Sequence, residues 1–287
     1  MNSVVGPHPL YSPALMVADT NPSARAALDA TLDHRTVLAG ERSWADRLTS
    51  VPSLAAALLV VTALAAGPLL WMDALLAERW LERFAPAAVP FTQNVLDRVA
   101  GQAVCLPVLA AVAIILALRR RSWRPVLLAA GAEASFLLGI GTMKVLLGRG
   151  ASSVGDPRFF EGGLLEMGSL GIAYPSGHAS EAVLMYGMAV YLIAQYSSAS
   201  PRLIRALQWG VVAICVNTTT VSFLLGWHWT TDLVAGLLAG GLFLRLLIDM
   251  DARRLEPATD AAPTTVSSSR EPLEPSPLEP GLAARRV

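Results

Sequence analysis

Apolar side chains gather along this chain into six long runs separated by short polar breaks. A helix needs about 20 apolar residues to cross the hydrocarbon of a bilayer. The runs at 54–72, 100–118, 125–147 and 209–227 meet that length directly, and those at 179–194 and 233–248 reach it with their flanks. This pattern predicts an all-α fold, an integral membrane six-helix bundle. On either side the pattern dissolves. Residues 1–50 are polar and irregular, with one amphipathic stretch at 24–32. From about residue 257 onward Pro, Glu, Ser and Thr dominate, and repeated prolines remove backbone donors and block helix. The organisation predicted is a polar N-terminal segment 1–50, a six-span membrane domain 51–255 and a disordered tail 256–287.

Composition sharpens the class. Of 287 residues 54% are hydrophobic and 15% charged, too apolar a balance for an ordinary soluble domain. The formal net charge is zero, so no global field points to nucleic acid or acidic partners. Cys105 and Cys215 both fall inside apolar runs, where a thiol behaves as a small apolar residue, and nothing suggests a disulfide-stapled fold. The first apolar run starts some fifty residues in, which argues for a retained helix and against a cleaved signal.

The arginines orient the spans. Arg119, Arg120, Arg121 and Arg124 lie between runs two and three, Arg202 and Arg205 between runs four and five, and Arg253 and Arg254 after run six. By the positive-inside rule these loops are cytoplasmic, as are both termini. Trp44, Trp71, Trp123, Trp209, Trp227 and Trp229 stand near run ends, as interfacial anchors do. In this topology three polar signatures emerge on one outer face of a cell membrane: Lys144 with Arg149, Pro175-Ser176-Gly177-His178, and His228-Trp229-Thr230-Thr231-Asp232.

Each signature has a chemical use. If a helix begins near His228, the i, i+4 spacing puts Asp232 on the same face, where a carboxylate can fix the imidazole tautomer and leave the other nitrogen free to attack. Ser176 is a good N-cap, Gly177 permits close ligand approach, and a helix N-terminus offers N–H groups to a phosphate. His178 on that first turn can donate a proton to a leaving alkoxide. Lys144 is the sole lysine among 22 basic residues and, with Arg149, makes a cationic cradle for phosphoryl oxygens. The bland alternatives are helix caps and a snorkelling lysine. Glu181, three residues after His178, either orients that histidine or solvates the interface.

Together these residues resemble the three signatures of the type-2 phosphatidic acid phosphatase superfamily, across roughly 144–236. The resemblance implies a membrane lipid phosphatase in which His228 is the nucleophile, Asp232 its orienting partner and His178 the general acid. It further implies Lys144, Arg149, Ser176 and Gly177 as phosphate holders, with no metal and no cofactor. Two positions depart from the family pattern. Ala151 and Ser152 stand where Arg-Pro is usual, and Ser222 stands where an arginine precedes the nucleophile by six residues. Arg149 or Arg158 is left to fill the gap.

The expected activity is hydrolysis of a lipid phosphate or diphosphate through a phosphohistidine. The alternatives are a lipid phosphotransferase using the same histidines, or a membrane protein that binds phospholipid without turnover. The expected partners are the lipid substrate and membrane lipids.

Overall fold

The structure is a computed structural model that describes residues 44–255. The readings of residues 1–43 and 256–287 lie outside the described residues. No strand occurs among the described residues, so the all-α expectation holds.

The principal helices are α1 (Val51–Ala65), α2 (Leu70–Leu76), α3 (Gln102–Arg120), α4 (Arg124–Ala134), α5 (Gly141–Leu147), α6 (Gly177–Tyr196), α7 (Pro201–Leu224) and α8 (Thr230–Leu255). α4 continues into α5 through a π-helical stretch, Ser135–Ile140. Among the described residues four helical stretches are long and apolar enough to cross a membrane: Pro86–Arg120, Arg124–Val154, Pro201–Leu224 and Thr230–Arg254. The first predicted run is not straight. It passes that test only as a pair of helices, Val51–Ala65 and Leu70–Phe84, bent by 77° at the break. α6 falls outside the set, because its first turns carry His178, Ser180 and Glu181.

α6 is the hub of the bundle, packed against α3, α4, α7 and α8, while α1 lies along α8. Ala179, Ala182, Leu184, Met185, Met188 and Leu192 fill the core from this helix. Small residues set the spacing between α6 and α8. A Cβ at Gly236 would lie 2.6 Å from the Ser176 carbonyl oxygen, and one at Gly240 would lie 2.6 Å from that of Ser180. Two glycines one turn apart thus let the backbones touch, as small residues do in membrane bundles. Ser180 Oγ donates to Ser176 O at 2.8 Å and to Gly236 O at 3.0 Å, and Ser176 N donates to Asp232 O at 3.0 Å. The first turns of α6 and α8 are therefore locked together, and both begin at the same end of the bundle.

The opposite end has its own clamp. Arg124 Nε pairs with Asp251 at 2.6 Å, and the Tyr191 and Tyr196 hydroxyls donate to the same carboxylate. This ties α4, α6 and α8 at the arginine-rich end.

Candidate active site

α8 begins at Thr230, two residues later than the sequence spacing suggests, so His228 stands on the turn just before it. The contact with Asp232 survives. His228 Nδ1 lies 3.3 Å from Asp232 Oδ2, which also accepts from Trp229 N at 3.1 Å. With Nδ1 engaged, Nε2 is the nitrogen left to react.

Asp232 is fully buried, and its other oxygen accepts from Arg149 Nη1 at 2.6 Å. Here the geometry departs from the expectation for Arg149. Its guanidinium is also wholly buried, and all three of its nitrogens donate to protein acceptors. Nε donates to Pro157 O at 2.7 Å, Nη1 to Thr231 Oγ1 at 2.7 Å as well as to Asp232, and Nη2 to Asp73 Oδ2 at 2.7 Å. The rings of Phe159, Trp229 and Tyr174 surround it at 4.9, 5.4 and 5.9 Å. Asp73, from α2, further accepts from Thr231 N at 3.1 Å and from the Thr231 hydroxyl. One cation is thus shared by two buried carboxylates, Asp73 and Asp232.

The remaining family positions are equally plain. Ala151, Ser152 and Ser222 are buried, and Ser152 Oγ donates to Gly226 O. Arg158 does not fold back over the histidines. It is exposed and held by Asp156 at 2.7 Å and by Glu161 at 3.7 Å. The hydrogen bonds from Arg158 hold the Asp156 carboxyl down at about 2.

Ser176 caps α6, its side chain accepting from Ala179 N. His178 follows in the first turn, 35% exposed, with Nε2 at 3.4 Å from Asp97 Oδ2. Asp97 belongs to a 3-10 turn, Asp97–Val99, immediately before α3. Lys144 on α5 donates to Ile172 O at 2.9 Å. Its Cε would lie 3.7 Å from a Cβ placed on Gly177, so the lysine side chain packs beside that glycine. Beside His178 lies a cavity of about 520 Å³ lined by Arg98, Gly101, Gln102, Phe136, Gly177 and Glu181.

The structure therefore brings Lys144, Ser176, Gly177, His178, His228 and Asp232 to one end of the bundle. Sequence reasoning missed Asp73 and Asp97. Asp73 does carry a signal, a lone carboxylate in the apolar stretch Leu69-Leu70-Trp71-Met72-Asp73-Ala74-Leu75-Leu76, where burial demands a partner. Asp97 sits in a mixed polar segment and carries none. Glu181 is buried and lines the same cavity, but the carboxylate at ion-pair distance from His178 is Asp97. Among the described residues no group of three or more His, Cys, Asp or Glu is arranged to hold a metal ion.

No curated protein matches this chain. Among solved structures, the crystal structure of the first transmembrane PAP2 type phosphatidylglycerolphosphate phosphatase from Bacillus subtilis superposes with a TM-score of 0.61 at 16% identity, covering 73% of this chain and 98% of that one. At that identity the likeness concerns the fold. The model of the PAP2 superfamily matches residues 150–256, a stretch holding both histidines and Asp232, while Lys144 and Arg149 precede it. Residues 150–256 of this multi-pass membrane protein are thus similar to the PAP2 superfamily.

Proposed function

We propose that this protein hydrolyses a lipid phosphate or diphosphate through a phosphohistidine. The observation that carries this reading is the chain Asp73–Arg149–Asp232–His228, which ends on a free imidazole nitrogen beside the N-terminus of α6. Asp232 sets the tautomer, so that the lone pair of His228 Nε2 faces the ligand. That nitrogen attacks phosphorus, the bond to the leaving oxygen breaks, and His178 passes its proton to that oxygen. Water then attacks the phosphohistidine and gives a proton to His178, and the P–N electron pair returns to His228.

Lys144, Gly177 and the free N–H groups at the start of α6, capped by Ser176, hold the phosphoryl oxygens. Arg149 acts on Asp232 and leaves the phosphate to those groups. The chemistry asks for no metal and no cofactor. The membrane domain is 51–255, both termini are cytoplasmic, and the site faces the outer leaflet, as the arginine-rich end opposite the site supports.

The test is phosphate release by purified protein from a panel of lipid phosphates, with and without chelator, alongside His228→Ala. Wild-type turnover insensitive to chelator, a label trapped on histidine and an inert His228→Ala are the expected results. Transfer of phosphate to an added alcohol instead of water would make the protein a phosphotransferase. Turnover by His228→Ala would end the phosphohistidine reading.

A further inference from the structure

We propose that Asp97 is the positioning residue of His178, so that the site contains two His–Asp pairs and not one. The inference rests on the reading of His178 as proton donor. Asp97 is 6% exposed, and its Oδ2 is 3.4 Å from His178 Nε2. Its other oxygen is buried without a hydrogen-bond partner among the described residues. A carboxylate at this depth is costly unless a charge or donor faces it. The nearest such group is the imidazole, and the ion pair exists only while that ring carries its second proton.

The turn that delivers Asp97 is pinned on both sides. Asn217 Nδ2 on α7 donates to Leu96 O at 2.9 Å, and the Tyr186 hydroxyl on α6 donates to Val99 O at 2.5 Å. Gly101 completes the fit, because a Cβ there would press on His178 Nε2 at 3.3 Å. The backbone on either side of Asp97 is thus held by α7 and by α6, the helix that carries His178. A buried anion beside a partly exposed imidazole stores a proton next to the leaving oxygen. When P–O cleavage pulls that proton away, the electron pair of the broken bond leaves on the protonated alcohol. His178 is then neutral beside Asp97 and ready to take a proton from the hydrolytic water. Asp232, in the first turn of α8, does the corresponding work for His228 just before it.

The experiment compares two substrates of the full-length enzyme: a dialkylglycerol phosphate, whose alkoxide needs a proton to depart, and p-nitrophenyl phosphate, whose phenolate does not. Asp97→Asn should lower kcat on the alkyl ester by about 10–100-fold, part of the contribution a general acid makes. KM should stay unchanged, and the aryl ester should lose less than about threefold, because its leaving group needs little acid assistance. In a His178→Ala background Asp97→Asn should add no further loss, since residues acting as one unit are not additive. Asp156→Asn, an exposed outer-loop carboxylate, is the control expected at wild-type rates. Equal losses on both esters, no loss on either, or an added loss in the His178→Ala background would each overturn the inference. Absence of turnover by the wild type on any lipid phosphate would instead remove the phosphatase reading and this inference with it.

Discussion

The buried cluster around Arg149 makes a prediction that separates two roles for that residue. Consider Asp73→Ala. If Arg149 were a phosphate ligand, deleting a carboxylate that competes for its guanidinium would free the cation and favour substrate binding. The geometry says the opposite. Asp73 is fully buried and accepts from Arg149 Nη2 and from both the amide and hydroxyl of Thr231. Its removal orphans three donors at once. Breaking one partner from a buried pair costs about 3–5 kcal/mol, most of it desolvation of what is left behind. At about 2–4 °C per kcal/mol for a domain of this size, Asp73→Ala should lower Tm by about 6–20 °C. Arg149→Met should cost more, because it strands two carboxylates, Asp73 and Asp232, with no counter-charge. The double variant should cost less than the sum, since each single change already breaks the same pair. The measurements are thermal unfolding of the purified protein and steady-state phosphate release, in which kcat should fall as Asp232 loses its anchor while KM holds. A wild-type Tm for Asp73→Ala, or a lowered KM, would refute the reasoning and return Arg149 to the phosphate.

Three further outcomes follow from the packing. Ser222→Arg supplies the arginine of the pattern this chain resembles but not its role: position 222 is 1% exposed, so a guanidinium there overpacks the core at a cost of about 1–3 kcal/mol, and turnover should fall. A gain in kcat/KM would show that the pocket was short of a cation it could accommodate. Gly236→Ala should push the first turns of α6 and α8 apart, because its Cβ would meet the Ser176 carbonyl at 2.6 Å; lost kcat with a modest Tm change is the expected signature, and wild-type kinetics would contradict it. A cysteine at Phe160 should react with membrane-impermeant reagent in intact cells while one at Ser122 should not, and the reverse pattern would put the site in the cytoplasm.

The residues proposed to carry the chemistry stood out in the sequence, because histidine, a lone lysine and Pro-Ser-Gly are rare beside apolar runs. The lengths of those runs likewise determined the all-α membrane fold, since a bilayer leaves a helix few alternatives. What each polar residue touches was decided only by tertiary contact. Arg149 lies five residues after Lys144 and invites a shared role, yet its partners come from α2 and α8, at positions 73 and 232. No spacing rule links residues 76 or 83 positions apart; only the packing of helices does. The same holds for Asp97, brought to His178 by a turn that α6 and α7 pin from the sides. Periodicity and residue type report on neighbours within a helix, whereas a buried ion pair is set by where the helix ends meet. Here Gly236 and Gly240 fix that meeting by letting α8 touch α6 at backbone distance.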